Sequence, residues 1–201
     1  MTALSSAANR VTLVRIVLIP VFLVILLAEL PVWGPWLAAV VFALLASTDA
    51  VDGYLARSRN EVTTFGKFID PLADKLLVTA ALVALVDLER LPSWIALVII
   101  SRELVVSGLR MVAVAEGRVI AASMWGKVKT VLQIVAIVGF IVMDSSVIPD
   151  VFGAGTATAF RWLVWAVMIA ALIATVVSMI DYFYHARDII TGPWSKGQRD
   201  A

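Results

Sequence analysis

Residues 49–75 read DAVDGYLARSRNEVTTFGKFIDPLADK, with aspartates at 49, 52, 70 and 74 and strongly apolar sequence on both sides. Asp49, Asp52, Gly53 and Ala56 recur at i, i+3, i+4 and i+7, which puts them on one face of a helix. Asp70 and Asp74, spaced i, i+4, share a face of the next helix. The polar linker 58–66 is short, so the two helices are expected to be antiparallel neighbours with carboxylates converging at headgroup depth. Four ionised carboxylates in one small site repel, and at least one takes up a proton unless a cation intervenes. Either Arg57 and Lys75 pair with two of them in a salt-bridged loop, or the set holds one or two divalent metals. All-oxygen ligation favours Mg²⁺ or Mn²⁺ over zinc. Small residues at 53 and 56 leave room for a flat ligand against the backbone, or simply for close helix packing.

Outward from this stretch the chain is apolar. Of its 201 residues 62% are hydrophobic and 15% charged, more apolar surface than a soluble domain of this length can bury. Cysteine is absent, which excludes disulfides, thiolate metal sites and cysteine nucleophiles, and the one histidine, His185, reads as a surface residue. The first apolar run follows Arg10 and Arg15 without a small-residue exit, so the N-terminus is expected to be retained.

Runs of about 20 apolar residues are the length of a membrane-crossing helix. Six are expected, at roughly 13–30, 33–56, 68–88, 93–115, 126–144 and 157–184, in a single membrane-embedded domain over 1–201. Pro31, Pro92 and Pro149 fall in connections or at helix starts, whereas Pro20 lies inside the first span and is expected to kink it. Arg10, Arg15, Arg57, Arg59, Lys67, Arg118, Lys127, Lys129, Arg187, Lys196 and Arg199 all fall on one side of this arrangement. The other side holds Arg90, Arg161 and the acids Glu29, Asp87, Glu89, Asp144 and Asp150. The excess of Lys and Arg therefore assigns both termini and the aspartate stretch to the cytoplasm. Trp33, Trp36 and Trp94 suit an outer aromatic belt and Trp125 an inner one.

The ordered set Asp49-x2-Asp52-Gly53-x2-Ala56-Arg57-x8-Gly66-x3-Asp70-x3-Asp74 resembles the full signature of the CDP-alcohol phosphotransferases. That resemblance implies an all-α integral membrane enzyme of six helices, a homodimer, using divalent metals to move a substituted phosphoryl group from a CDP-linked donor to an alcohol. CMP is released. It further implies metal ligation by Asp49, Asp52, Asp70 and Asp74, with Asp74 also the general base. The donor would lie against Asp52, Gly53, Ala56 and Arg57. Asn9, Thr12 and Arg15 would flank its nucleotide-pyrophosphate; read without the family, that edge is a helix cap and a snorkelling arginine.

The acceptor is a separate question. SRELVVSGLRMVAVAEG, 101–117, puts Arg102, Glu103 and Arg110 within a membrane-length helix, where charges cost on the order of 2.5–3.5 kcal/mol each and face polar cavities. They make either an intramembrane Arg–Glu pair that locks helices or a cationic pocket for an anionic acceptor. WGKVKTVLQ, 125–133, adds Lys127 and Lys129 at a helix start, as topology anchors or as phosphate ligands helped by the helix dipole. Together with NRVTLVRIVLIP (9–20) and SMIDYFY (178–184), these segments resemble the bacterial phosphatidylglycerophosphate synthase subfamily. The resemblance implies CDP-diacylglycerol as donor, glycerol 3-phosphate as acceptor, and a bacterial cytoplasmic membrane with the active site facing inward. Phosphatidylinositol phosphate synthase, or another CDP-diacylglycerol-dependent phosphatidyltransferase, is the alternative within the family. An ion or metal transporter would instead need acids at mid-membrane and broken helices. Nothing in the chain suggests a nucleic-acid partner.

Overall fold

The computed structural model describes the backbone of residues 7–59, 64–115 and 124–190 and the side chains of 13–48, 75–113 and 124–184. The described residues form α1 (Ala7–Leu27), α2 (Gly34–Arg59), α3 (Thr64–Asp87), α4 (Ser93–Ala115), α5 (Met124–Val142), a short α6 (Val147–Phe152) and α7 (Ala154–Ile190), with no strand among them. Each of the six expected apolar runs thus lies largely within its own helix. The helices extend beyond the apolar runs: α2 and α3 gain a turn at their facing ends, and α7 reaches Ile190. Hydropathy marks the apolar length of a helix, whereas the backbone ladder continues until its hydrogen bonds are better made elsewhere. α1 continues through Pro20, and α6 is an element that the apolar pattern does not announce.

Among the described residues two helices are long and apolar enough to cross a membrane, Met124–Val142 and Ala154–Tyr184. Of the rest, α4 carries Arg102, Glu103 and Arg110, and within the described residues of α1 and α2 the apolar stretches are Leu13–Leu27 and Gly34–Thr48.

α5 packs along α7, α1 lies against α2 and α3, and α4 joins α3 to α7. Phe22, Phe42, Leu82, Leu85, Ile95, Ile99, Ile137, Phe140, Ile141 and Met168 are fully buried where these helices meet. Phe22 and Phe42 tie α1 to α2 with ring centroids 5.5 Å apart, and Phe140 meets Trp165 edge-on at 5.0 Å across the α5–α7 seam. That seam is close because Gly139 has no side chain: a Cβ there would lie 2.8 Å from a Val164 methyl. Outward, Val17, Val24, Leu97, Leu104, Val131, Trp162, Ile173 and Ile180 are exposed, an apolar surface characteristic of a protein in contact with lipid or a partner rather than water.

At one end, the α3–α4 connection is a Schellman turn. The Arg90 N–H donates to Leu85 O at 3.0 Å and the Glu89 N–H to Val86 O at 3.0 Å, with Glu89 in the left-handed region at φ 56°. This turn throws Arg90 inward. Its guanidinium reaches Glu29 at 3.5 Å and Asp144 at 3.7 Å and donates to Ile141 O at 3.3 Å, while Arg161 pairs with Asp144 at 2.8 Å. Trp36 Nε1 donates to Ser145 Oγ at 3.0 Å beside this clamp. Arg90 and Arg161, both assigned by sequence to the side opposite the basic loops, therefore share one carboxylate.

Candidate active site

The aspartates sit on the facing ends of α2 and α3, two helices that pack together with only residues 60–63 between them. Asp49 and Asp52 lie ten and seven residues before the end of α2, and Asp70 and Asp74 six and ten residues after the start of α3. Counted from the connection, Asp49 and Asp74 therefore stand the same number of residues along their helices, and Asp52 and Asp70 nearly so. The side chains of Asp49, Asp52, Gly53, Ala56, Arg57, Asp70 and Asp74 lie outside the described residues, as do those of Asn9, Thr12 and His185. Among the described residues no cluster of three or more His, Cys, Asp or Glu side chains is found. Arg15 is described, and it is buried at 2% exposure rather than extended into solvent.

Lys75, the residue after Asp74, opens into a cavity of about 390 Å³ between α3, α4, α5 and α7. Its lining includes Lys75, Arg102, Glu103, Arg110, Lys127 and Lys129. All five residues singled out from the two segments of α4 and α5 thus border one space. Helical spacing explains it: Arg102 and Arg110 are two turns apart on α4, and Lys127 and Lys129 stand in the first turns of α5.

Glu103 is the hub. Its Oε1 meets Lys129 Nζ directly and accepts from Arg102 Nη1 at 3.1 Å, and its Oε2 lies 3.9 Å from Lys75 Nζ. Arg102 Nη2 donates to Ser178 Oγ on α7 at 2.6 Å, which fixes the guanidinium from a second helix. The Arg–Glu pair of the bland reading does form. Among the described residues it does not exhaust the charge, because five cationic side chains and one carboxylate belong to the described lining. Arg102 and Lys129 are also 6% and 4% exposed, so their charges are little screened by water. Such a surplus in a partly desolvated cavity suits a small dianion, which accepts several charge-assisted hydrogen bonds at once.

Sequence reasoning did not place Lys75 in this cavity, and it gave no role to the polar lining residues Ser107 on α4, Thr130 on α5, and Ser178 and Tyr182 on α7. Ser178 and Tyr182 are i, i+4 neighbours on α7, a stripe that helical periodicity detects once α7 is read for polar rather than apolar positions.

The chemistry of the aspartate donors fits a hard divalent cation: four carboxylates, no sulfur and no imidazole, on two packed helices.

The family model of CDP-alcohol phosphatidyltransferases matches residues 5–177. The chain is 50% identical over 141 residues to the CDP-diacylglycerol–glycerol-3-phosphate 3-phosphatidyltransferase of Bacillus subtilis (strain 168), covering 64% of this chain and 72% of that protein. The protein of the same name in Escherichia coli (strain K12) is 36% identical over 194 residues, covering 88% of this chain and 92% of its relative. That of Haemophilus influenzae is 41% identical over 136 residues, covering 65% and 72%. With the aspartate signature inside the matched span, the chain belongs to the CDP-alcohol phosphatidyltransferase family.

Proposed function

We propose that the protein transfers the phosphatidyl group of CDP-diacylglycerol to the primary hydroxyl of glycerol 3-phosphate, giving phosphatidylglycerophosphate and CMP. The observation that carries this reading is the cavity of five cations around Glu103, joined in sequence to Asp74 through Lys75. The names of the relatives point the same way.

The acceptor's phosphate binds among Arg102, Arg110, Lys127 and Lys129, and Glu103 holds Arg102 and Lys129 in place between turnovers. Binding there directs the acceptor's primary hydroxyl toward α3. Asp74 takes the proton from that hydroxyl as its oxygen bonds to the phosphatidyl phosphorus, and the bond from that phosphorus to the bridging oxygen of CMP breaks in line. Asp49, Asp52, Asp70 and Asp74 hold divalent cations, Mg²⁺ or Mn²⁺ and two where the site is full. These cations supply neutralisation of the pyrophosphate charge. Gly53 and Ala56 let the cytidine lie against α2, while Arg57, Asn9, Thr12 and Arg15 flank the donor phosphates. The six long helices each cross the bilayer, with both termini and the active site on the cytoplasmic side of a bacterial membrane, as a homodimer. The exposed apolar faces of α1, α4, α5 and α7 support the embedding, and the basic residues at the cavity end support the orientation.

Purified protein given CDP-diacylglycerol and a panel of labelled alcohols tests this directly. Glycerol 3-phosphate is expected to yield CMP and the phosphorylated lipid, unphosphorylated glycerol little of either, and excess chelator neither until Mg²⁺ or Mn²⁺ is restored. Preferential use of inositol phosphate or serine would overturn the acceptor and leave the reaction type standing. Full activity in chelator would overturn the metal site.

A further inference from the structure

One wall of the cavity has no task in the chemistry above. Tyr182 is 6% exposed, and its ring is packed with Val106, Leu109 and Met179, so the phenol is held in one place. Its hydroxyl is buried and has no hydrogen-bond partner, although the residue lines the cavity. A phenol removed from water and left unpaired is unfavourable, so a group from a bound molecule is expected opposite it.

The neighbours decide which group. Ser107 Oγ donates to Glu103 O at 2.6 Å and Thr130 Oγ1 to Gly126 O at 3.0 Å, so both protons are committed to helix backbone. Ser178 Oγ accepts from Arg102, and the Glu103 carboxylate meets Lys75, Arg102 and Lys129. The other charged groups among the described lining residues are lysines and arginines, which donate and never accept. The described lining is therefore rich in donors for an anion, and Tyr182 Oη is the buried hydroxyl left without a partner, whereas a neutral hydroxyl on a ligand can both donate and accept. Tyr182 Oη offers both.

We propose that Tyr182 is a specificity-determining residue that recognises the unreactive hydroxyl of the acceptor. Resting on the reading above, that group is the C2 hydroxyl of glycerol 3-phosphate. The phosphate engages the cations and the primary hydroxyl faces Asp74, so the C2 hydroxyl between them remains to be recognised.

The test compares glycerol 3-phosphate with 3-hydroxypropyl phosphate, which lacks only that hydroxyl, using purified full-length wild type and Tyr182→Phe with CDP-diacylglycerol. Wild type is expected to favour glycerol 3-phosphate by roughly ten- to a hundredfold in kcat/KM. Tyr182→Phe should bring glycerol 3-phosphate down to the level of the analogue, with the analogue and the KM for CDP-diacylglycerol changed less than about threefold. A purely packing role would lower both alcohols together, and that result overturns the proposal. So does a wild type that uses the two alcohols equally, a measurement that needs no variant to fold. Release of CMP with neither alcohol overturns the underlying reaction as well, whereas uniform loss in an otherwise active enzyme overturns Tyr182 alone.

Discussion

The two ends of the helix bundle use the same residue types to opposite effect. At the α3–α4 turn, Arg90 and Arg161 meet Glu29 and Asp144, two cations against two carboxylates. Each charge there has its complement, and the cluster ties the α1, α3 and α5 ends together. Among the described residues of the cavity at the other end, five cations and one carboxylate, Glu103, line the space, and a phenol hydroxyl stands without a hydrogen-bond partner. Balanced charge closes a structure. A surplus of cations among the described residues, with Arg102 held by Ser178 and Glu103, suits a ligand of opposite sign. The comparison teaches that the same arginine is structural or functional according to whether its neighbours already satisfy it.

Substitutions at the two ends should therefore fail in different assays. The largest effect is expected at the aspartates next to the unbalanced end. Asp74→Asn should reduce turnover by roughly 10²-fold or more, read as CMP release, while affecting donor affinity less. An equal loss of donor binding would instead mark Asp74 as a metal ligand above all.

Next come the cavity cations. Lys127→Ala or Arg110→Ala should raise the KM for glycerol 3-phosphate about ten- to a hundredfold, the equivalent of losing one charge-assisted contact. The KM for CDP-diacylglycerol should barely move. If both substrates weaken together, the cavity is not an acceptor site and the contrast between the ends collapses.

At the balanced end activity should survive. Arg90→Ala removes one guanidinium from two carboxylates and a carbonyl, but Glu29 is 62% exposed, so solvent screening limits the loss. About 1–2 kcal/mol is expected, or a few degrees in the melting temperature of the detergent-solubilised protein, with both KM values unchanged. Arg161→Ala should do least, below about 1 kcal/mol, because that side chain is 60% exposed and makes a surface pair. A shift in acceptor KM from either variant would show that the ends are coupled.

Much of this was legible in the chain. The apolar runs expected from the sequence each fell largely within one long helix, because a helix satisfies the backbone hydrogen bonds of such a run internally. The aspartate spacing is a local property of two helices and their short connection, and it carries the family with it. Arg102 and Arg110 could be found because a charge in an apolar helix is conspicuous. Helix ends were less legible: α2, α3 and α7 extend into polar sequence that hydropathy reads as connection, and α6 carries no pattern of its own.

What the sequence determined by itself, then, is whatever depends on neighbours along one helix: the apolar lengths and the spacing of the aspartates. Tertiary structure alone decided which of these charges balance. Glu103 lies beside Arg102 in the chain, but its contacts with Lys75 and Lys129 come from α3 and α5, and the hold of Ser178 on Arg102 comes from α7. Likewise, nothing in the order of residues brings Glu29, Arg90, Asp144 and Arg161 to one place. Electrostatic balance is a sum over contacts in space, and a chain that crosses back on itself sets those contacts only when its helices have packed.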